Sequence, residues 1–334
     1  CNVAVKTLIT EIWILSANSW MQTPQGFEIR ADGLLYPTSW LEIIFNPSFP
    51  YRFAHMITAA YLTTAFAVAG VAAYYLYKNV HIQHARIMFG MAMLMAIFVS
   101  PLQLFIGDAH GLNTLEYQPR KIAAIEGTWD TEKGAGLRLF AIPDQQNQTN
   151  NYEIIIPKLA SLILTHSFDG EIKGLKEWKP EDQPPVIAVF WSFRVMVALG
   201  FAMIITGIFA LFLYYRKRLF DTRWFQFWCI VMSPSGFIAL LAGWFVTEIG
   251  RQPYTVYEVL RTSESISPVI GPQIAITLLA FVIVYSSIFG TACYYIIKLI
   301  KKGPKIGDEK EEFYDHSMLP VQVIKELTPK TERG

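Results

Sequence analysis

The sequence predicts an all-α protein: a polytopic transmembrane helical bundle with one long extracytoplasmic loop subdomain. Hydrophobic residues make up 53% of the 334-residue chain and charged residues only 16%, whereas globular domains carry roughly 25% charged residues. Five stretches approach or exceed the roughly 20 apolar residues that a helix needs to cross the hydrocarbon core. None of them alternates apolar and polar residues with period two, which excludes a porin-like barrel.

The apolar runs predict five transmembrane helices, and a weaker run predicts a sixth. The five clear runs cover residues 53–77, 87–107, 186–215, 224–247 and 274–297. The sixth, residues 3–20, is mostly apolar but carries Lys6 and Glu11, which are costly where they face lipid. The first residues show no basic segment followed by a cleavable apolar stretch, so they contain no recognisable signal peptide.

Basic residues gather at one end of the predicted spans, which predicts the orientation because short cytoplasmic loops are enriched in Lys and Arg. They are Lys78, Arg86, Arg216, Lys217, Arg218, Arg223, Lys298, Lys301, Lys302 and Lys305. The chain then divides into helices over residues 1–107, an extracytoplasmic loop over 108–185, helices over 186–298, and a disordered cytoplasmic tail over 299–334.

The balance of charge and the cysteine content exclude several classes of function. The 28 basic and 27 acidic residues give a net charge of +1, so no overall field attracts nucleic acid or acidic substrates. The three cysteines cannot form a disulfide framework, and two of them lie inside apolar runs.

Three side chains that can bind a metal or carry a charge fall at similar depths in the predicted bundle. Counted from the end of each run that we assign to the cytoplasm, His55 lies about 33 Å, Met196 about 29 Å and Glu248 about 36 Å along its helix, at 1.5 Å per residue. All three are therefore predicted at the outer edge of the bilayer, where ionisable groups are candidates for function.

An imidazole and a thioether at matching depth are the ligand pair of a six-coordinate haem that transfers electrons, which His55 and Met196 would supply. Arg194 could then bind a haem propionate, and Glu248 could be an axial ligand or a proton carrier. A lone histidine in a span is also commonly a hydrogen bond between helices, and methionine commonly fills gaps. Trp244 shares a helix face with Glu248 and is either an interface anchor or a residue between redox centres.

Six ordered stretches of the chain match one known family across nearly its whole length. They are residues 17–24 (ANSWMQTP), 53–55 (FAH), 107–108 (GD), 121–129 (KIAAIEGTW), 193–197 (FRVMV) and 243–253 (GWFVTEIGRQP). In these stretches the chain resembles subunit I of the cytochrome bd-type quinol oxidases, in the form with a short quinol loop.

The resemblance implies roles for individual residues around the haems. His55 and Met196 match the axial ligands of a low-spin haem b, with Arg194 beside it. Glu248 matches the carboxylate ligand of a high-spin haem. Trp244 matches a tryptophan that lies among the haems; Arg251 is expected to bind cofactor.

The resemblance also implies a quinol-oxidising role for two residues of the long loop. Glu126 matches a loop carboxylate, which would accept a proton from the quinol hydroxyl. Lys121 would stabilise the negative charge that develops there. Without the resemblance, an exposed pair of little consequence would be the simpler interpretation.

One departure from the family limits what the sequence implies. About three family spans precede the first helix, and they carry the histidine ligand of the other high-spin haem and acidic residues of the proton route to oxygen; the sequence does not contain them. High-spin haem b and haem d, or a b-type substitute, would be shared with those helices. Either the chain is a fragment, or another polypeptide supplies them.

The function so implied is that of a terminal oxidase subunit in the prokaryotic plasma membrane. It oxidises membrane quinol, passes electrons through haems to reduce O2 to water, and generates a membrane potential without pumping protons. Its expected partners are subunit II, a small single-span subunit and the lipid bilayer, with no nucleic acid. Two alternatives are a non-haem transporter or channel lined by His55, Arg194 and Glu248, and a quinone-binding accessory subunit without full turnover.

Overall fold

The computed structural model describes residues 2–266 and 269–304, and most of these residues are helical. The helices are α1 (Asn2–Gln22), α2 (Trp40–Ile44), α3 (Phe49–Lys78), α4 (Ile82–Tyr117), α5 (Pro119–Glu126), α6 (Leu159–Thr165), α7 (Val186–Tyr215), α8 (Arg223–Val231), α9 (Ser235–Ile249) and α10 (Gly271–Lys302). This confirms the predicted all-α bundle.

The strands are short and form four antiparallel pairs. They are β1 (Phe27–Ile29), β2 (Leu35–Pro37), β3 (Glu132–Lys133), β4 (Leu137–Asp144), β5 (Thr149–Ile156), β6 (Glu171–Ile172), β7 (Tyr254–Val256) and β8 (Leu260–Arg261). The pairs are β1–β2, β3–β6, β4–β5 and β7–β8. The longest hairpin, β4–β5, lies in the segment predicted to form the long loop.

Within the described residues, five stretches of helix are long and apolar enough to cross a membrane. They are Trp40–Lys78, Ile82–Tyr117, Val186–Tyr215, Arg223–Ile249 and Gly271–Lys302. Each contains one of the five apolar runs read from the sequence. Helix α1 forms where the sixth run lies, but it is not among the five, so its passage through the membrane stays a prediction.

Two helix boundaries differ from the apolar runs for identifiable reasons. The run that ends at Gly107 continues as helix α4 to Tyr117, because nothing breaks the helix until Pro119, which disfavours helical geometry in the residue before it. The run over 224–247 is split into α8 and α9 next to Pro234. Pro101, in contrast, lies inside the continuous helix α4.

The described residues cluster into two compact units. The first contains Cys1–Thr64, Met95–Gly207 and Pro234–Ser265, and the second contains Ala65–Leu94, Ile208–Ser233 and the described residues from Ile266 onward. The sequence-based division at residues 107, 185 and 298 stays a prediction. Helix α10 extends to Lys302, four residues into the segment predicted as tail, and residues 305–334 lie outside the described part of the chain.

Helix α5 is buried in the first unit and is held by an apolar core. Its Ile122, Ala123, Ala124 and Ile125 pack with Trp129 and Leu175 of the loop segment, with Val186 and Val189 of α7, and with Val246 of α9. Pro119 begins the helix, and Gly127 ends it in the left-handed conformation with φ 65°, which glycine adopts without steric cost. The core therefore fixes the polar side chains of α5 against two spans.

Close packing of α9 against α3 depends on Gly236. A Cβ atom at this position would lie 2.4 Å from Thr63 Cα, whereas a Cβ at Gly200 of α7 meets nothing within 4 Å. We expect Gly236→Ala to lower the free energy of unfolding by about 1–3 kcal/mol because of overpacking. Gly200→Ala is the matched control and should cost nothing, since alanine favours helix. Thermal unfolding of the purified variants in detergent measures both, and equal midpoints would contradict the packing argument.

Candidate haem and quinol site

All eight side chains singled out in the sequence lie in the first compact unit, and α5 carries two of them. Lys121 and Glu126 are five positions apart, which places them about 140° apart around a helix axis. The two side chains are 4% and 5% exposed. They are therefore not an exposed surface pair, and they reach different neighbours.

Glu248, at the end of α9, is held by two donors. Asn18 Nδ2 of α1 donates to Glu248 Oε1 at 2.8 Å, and Arg251 Nη2 donates to Oε2 at 2.5 Å. Arg52 of α3 in turn donates to Asn18 Oδ1. Each carboxylate oxygen has a second lone pair, so Glu248 retains the capacity to bind a metal while both hydrogen bonds persist.

Lys121 reaches the same cluster from α5. Its Nζ donates to Gln22 Oε1 at 2.6 Å, and Gln118 Nε2 donates to the Gln22 backbone oxygen at 2.9 Å. Burial lowers the pKa of the Lys121 ammonium well below its usual value, and the charges of Arg52 and Arg251 lower it further. Lys121 thus lies on the Glu248 side of α5.

This cluster carries more positive than negative charge, and its unpaired donors decide whether a haem would fit here. Arg52, Lys121 and Arg251 are all buried, and Glu248 is the carboxylate among them. Arg52 Nε and Arg251 Nε and Nη1 are buried without a hydrogen-bond partner. Unpaired buried cations are costly, and haem propionates are carboxylates that would accept from these donors. The residues present therefore fit a haem.

His55 lies between α3 and α4, in contact with two α4 side chains. Gln103 Nε2 is 3.3 Å from both ring nitrogens and 3.1 Å from the His55 backbone oxygen. The ring centroid of His110 is 5.5 Å from that of His55. A Cβ at Gly107 would lie 3.3 Å from His55 Cε1, so the glycine lets the helix approach the ring.

Met196 of α7 packs against a glycine, as His55 does. A Cβ at Gly243 of α9 would lie 3.1 Å from Met196 Sδ. Trp244, the next residue, is partly buried one helical turn before Glu248. The pairing of His55 with Met196 on a single iron, and the position of Trp244 between haems, stay predictions.

Arg194 is fixed mainly by backbone oxygens. Its Nε and Nη2 donate to the Arg138 oxygen of β4 at 3.0 and 2.6 Å, and Nη1 donates to the Ile125 oxygen of α5. The guanidinium lies 3.5 Å from the ring centroid of Phe190, a cation–π contact. A propionate contact of Arg194 stays a prediction.

Glu126 of α5 faces Arg194 of α7. Glu126 Oε2 lies 3.8 Å from Arg194 Nη2 and has no hydrogen-bond partner. Burial raises the pKa of the Glu126 carboxyl, while Arg194 and Arg138 pull it back. The result is a buried carboxyl with one free acceptor oxygen and a raised pKa, as a proton acceptor needs.

Several residues of this arrangement were assigned no role from the sequence. His110 lies in α4, which continues beyond the apolar run to Tyr117, and its half-buried ring lies beside that of His55. Asn18 and Gln22 stand in the stretch 17–24, four positions apart and so on one helix face, which was a usable signal. Arg52 gave no local signal, since its partner Asn18 is 34 positions away.

The chain is similar to subunits of cytochrome bd oxidases over most of its length. The family profile for cytochrome bd terminal oxidase subunit I matches residues 1–304. Cytochrome bd ubiquinol oxidase subunit 1 of Bacillus subtilis is 34% identical, over 90% of this chain and 66% of its own length. Cytochrome bd-II ubiquinol oxidase subunit 1 of Escherichia coli is 28% identical, over 90% and 72%.

A solved structure gives the same result for the fold. The bd oxidase from Geobacillus thermodenitrificans aligns with a TM-score of 0.81 and 27% identity, over 90% of this chain and 69% of that one. The chain thus spans about two thirds of the length of the relatives it matches. Together with the five apolar helices, these matches indicate a multi-pass protein of the prokaryotic plasma membrane. The protein belongs to the cytochrome bd terminal oxidase subunit I family.

Proposed function

We propose that the chain is the part of a terminal oxidase that takes electrons from membrane quinol and passes them through haems towards O2. The observation that carries this proposal is the buried cluster around Glu248, in which Arg52 and Arg251 keep unpaired donors. An electron-transfer cofactor that bears carboxylates satisfies these donors. A transporter is not favoured, because the chain belongs to an oxidase family.

Haem iron, when bound, supplies one-electron transfer and, at a position without a sixth protein ligand, reduction of oxygen. In the proposed site His55 and Met196 hold a low-spin haem b, and Glu248 holds a high-spin haem. Arg251, Arg52 and Lys121 offset propionate charge beside Glu248, and Trp244 lies among the cofactors. High-spin haem b and haem d, or a b-type substitute, are shared with helices outside this chain.

Glu126 performs the proton chemistry of quinol oxidation. A quinol that loses two electrons must also lose two protons, and Glu126 Oε2 is a buried acceptor without a partner. Arg194, 3.8 Å away, stabilises the carboxylate before it takes up the proton. Lys121 lies on the other face of α5, next to Gln22 and on the side of Glu248. Any effect of Lys121 on quinol oxidation therefore acts through these residues.

The proposed orientation places the long loop outside the cell and the C-terminal tail in the cytoplasm. Quinol protons are then released outside, while protons for water formation come from inside, which generates a membrane potential without pumping. The proposed partners are subunit II, a small single-span subunit, membrane quinol and O2. Measured turnover of quinol with oxygen in the assembled complex distinguishes this oxidase from an accessory subunit.

The low-spin haem ligands can be tested by spectroscopy. We expect His55→Ala and Met196→Leu each to abolish the low-spin b-type α band in dithionite-reduced minus oxidised spectra. Met203→Leu is the matched control, because Met203 lies on the same helix two turns further and is buried. An α band that survives both ligand substitutions would refute the assignment.

The carboxylate ligand has a separate signature. We expect Glu248→Ala to remove a high-spin haem signal while the low-spin α band remains. Glu264→Ala removes an exposed carboxylate of the loop after α9 and should leave both signals. Haem content and spectra of the purified variants measure this, and an intact high-spin signal in Glu248→Ala would contradict the proposal.

The proton-accepting role of Glu126 predicts a pH dependence. Only the ionised carboxylate accepts a proton, and its pKa is raised. The kcat/KM for quinol should therefore fall as the pH drops through a value above the usual glutamate pKa of about 4.3. Glu126→Gln should lower kcat/KM by about 10²–10⁴-fold and abolish this limb.

Glu181→Gln is the control for the pH profile, since Glu181 is an exposed carboxylate of the same loop segment. It should retain both the rate and the acidic limb. If Glu126→Gln kept the wild-type rate and profile, another group would have to accept the proton.

A further inference from the structure

The β4–β5 hairpin contacts the first turns of α7 at three points. At its tip, Gln145 Oε1 accepts from the Val186 backbone N–H at 3.0 Å. Further along, Phe140 meets Trp191 with ring centroids 5.1 Å apart. Towards its base, the Arg138 oxygen accepts two hydrogen bonds from Arg194. These contacts are distributed along α7 from residue 186 to residue 194.

The depth of the hairpin follows from this alignment. Helix α7 ends at Tyr215, before the basic residues 216–218, a combination typical of a membrane interface. Arg194 lies 21 residues earlier, about 32 Å along the helix, which is close to the roughly 30 Å thickness of the hydrocarbon core. The base of the hairpin therefore lies at the opposite boundary of the core, and the tip lies about 12 Å beyond it.

The polarity of the hairpin changes along the same direction. The tip, residues 144–151, has the sequence DQQNQTNN. The base carries exposed aliphatic side chains instead: Leu139 is 49%, Ile154 59%, Ile155 40% and Ile156 39% exposed. We name these four residues the aliphatic base. Four exposed aliphatic side chains close together on one short hairpin mark a candidate contact surface.

The charges near the aliphatic base are neutralised within the protein. Arg138 is buried and pairs with Glu153 at 2.9 Å and Glu132 at 3.0 Å. Glu153 also accepts from Asn150 Nδ2. The patch offers aliphatic contact without a free charge, which suits lipid better than a charged protein partner.

The part of α7 that the hairpin contacts also carries exposed apolar side chains. Ile187 and Val195 of α7, beside the hairpin contacts, are exposed. We propose that the aliphatic base is embedded in the lipid leaflet on the side of the long loop. These residues contact lipid at the depth where the acyl chains meet the headgroups.

This position has a consequence that rests on the proposed function. At the base, the Arg138 oxygen accepts two hydrogen bonds from Arg194, whose Nη2 lies 3.8 Å from Glu126 Oε2. The hairpin therefore joins the leaflet in which quinol dissolves to the carboxylate that accepts its proton. The aliphatic base would form one side of the quinol entrance.

Depth-dependent fluorescence quenching tests the proposal in the assembled complex, reconstituted in vesicles. In a Cys1→Ser/Cys293→Ser background, Ile154→Cys is labelled with an environment-sensitive fluorophore; Gln146→Cys at the exposed tip is the matched control. We expect lipid with a doxyl group near the headgroup to quench the label at 154 and iodide to spare it. The label at 146 should show the reverse.

Two results would overturn the proposal. Quenching of position 154 by iodide as strong as at 146 would mean that the base faces water. Protection of position 154 from both quenchers would mean that another protein chain covers it. Neither result depends on haem or turnover.

The KM for quinols of different tail length tests the proposed quinol entrance separately from the position of the hairpin. Ile154→Asn/Ile156→Asn should raise the KM for a long-tailed quinol, leave the KM for a short-tailed quinol unchanged, and leave the low-spin spectrum intact. An unchanged KM for both quinols would refute the entrance. If the unsubstituted complex lacked the haem bands, the proposed function would fail, while the quenching result would still decide the position of the hairpin.

Discussion

The packing of helix α5 against the ends of α7 and α9 is the contact on which the polar arrangement depends. Four aliphatic residues of one short helix fill an apolar core, and that core leaves the flanking Lys121 and Glu126 no access to water. Each must then be compensated by the protein. Lys121 donates a hydrogen bond to Gln22, and Glu126 forms an ion pair with the guanidinium of Arg194 at 3.8 Å. One helix thus separates a cation-rich region from a region suited to accepting protons.

The cation-rich region is incompletely compensated by the residues of this chain. Three buried cations surround Glu248, and three of their nitrogen atoms lack an acceptor. Buried charge without a partner destabilises the folded state, and any anionic group that binds only the folded state stabilises it by mass action. Folding of this region and cofactor binding are therefore thermodynamically coupled, whatever the redox chemistry.

The sequence allowed the five spans to be predicted because each is an uninterrupted apolar run, and the helices observed at Val186–Tyr215 and Gly271–Lys302 contain their runs completely. The principal candidate residues followed from short motifs, and the structure gathers them in one unit. The neighbours of these residues were much harder to predict. Lys121 and Gln22 are 99 positions apart, and Arg194 and Arg138 are 56 apart, so no local pattern joins them. The contact of His110 with His55 was hidden for a different reason: hydropathy detects where apolar residues stop, whereas a helix stops only where its backbone is interrupted, and α4 continues to Tyr117.

Beside His55 and Met196, a neighbouring helix carries a glycine, which presents only a hydrogen atom at that position. The glycines at 107 and 243 allow α4 and α9 to approach within distances that even a methyl group would make too short. An imidazole or thioether wedged against a backbone has little freedom to retreat from a bound metal. The length and direction of each metal bond would then be governed by how far apart two helices lie, so small changes in helix spacing would tune the electronic character of the centre without any change in its ligands.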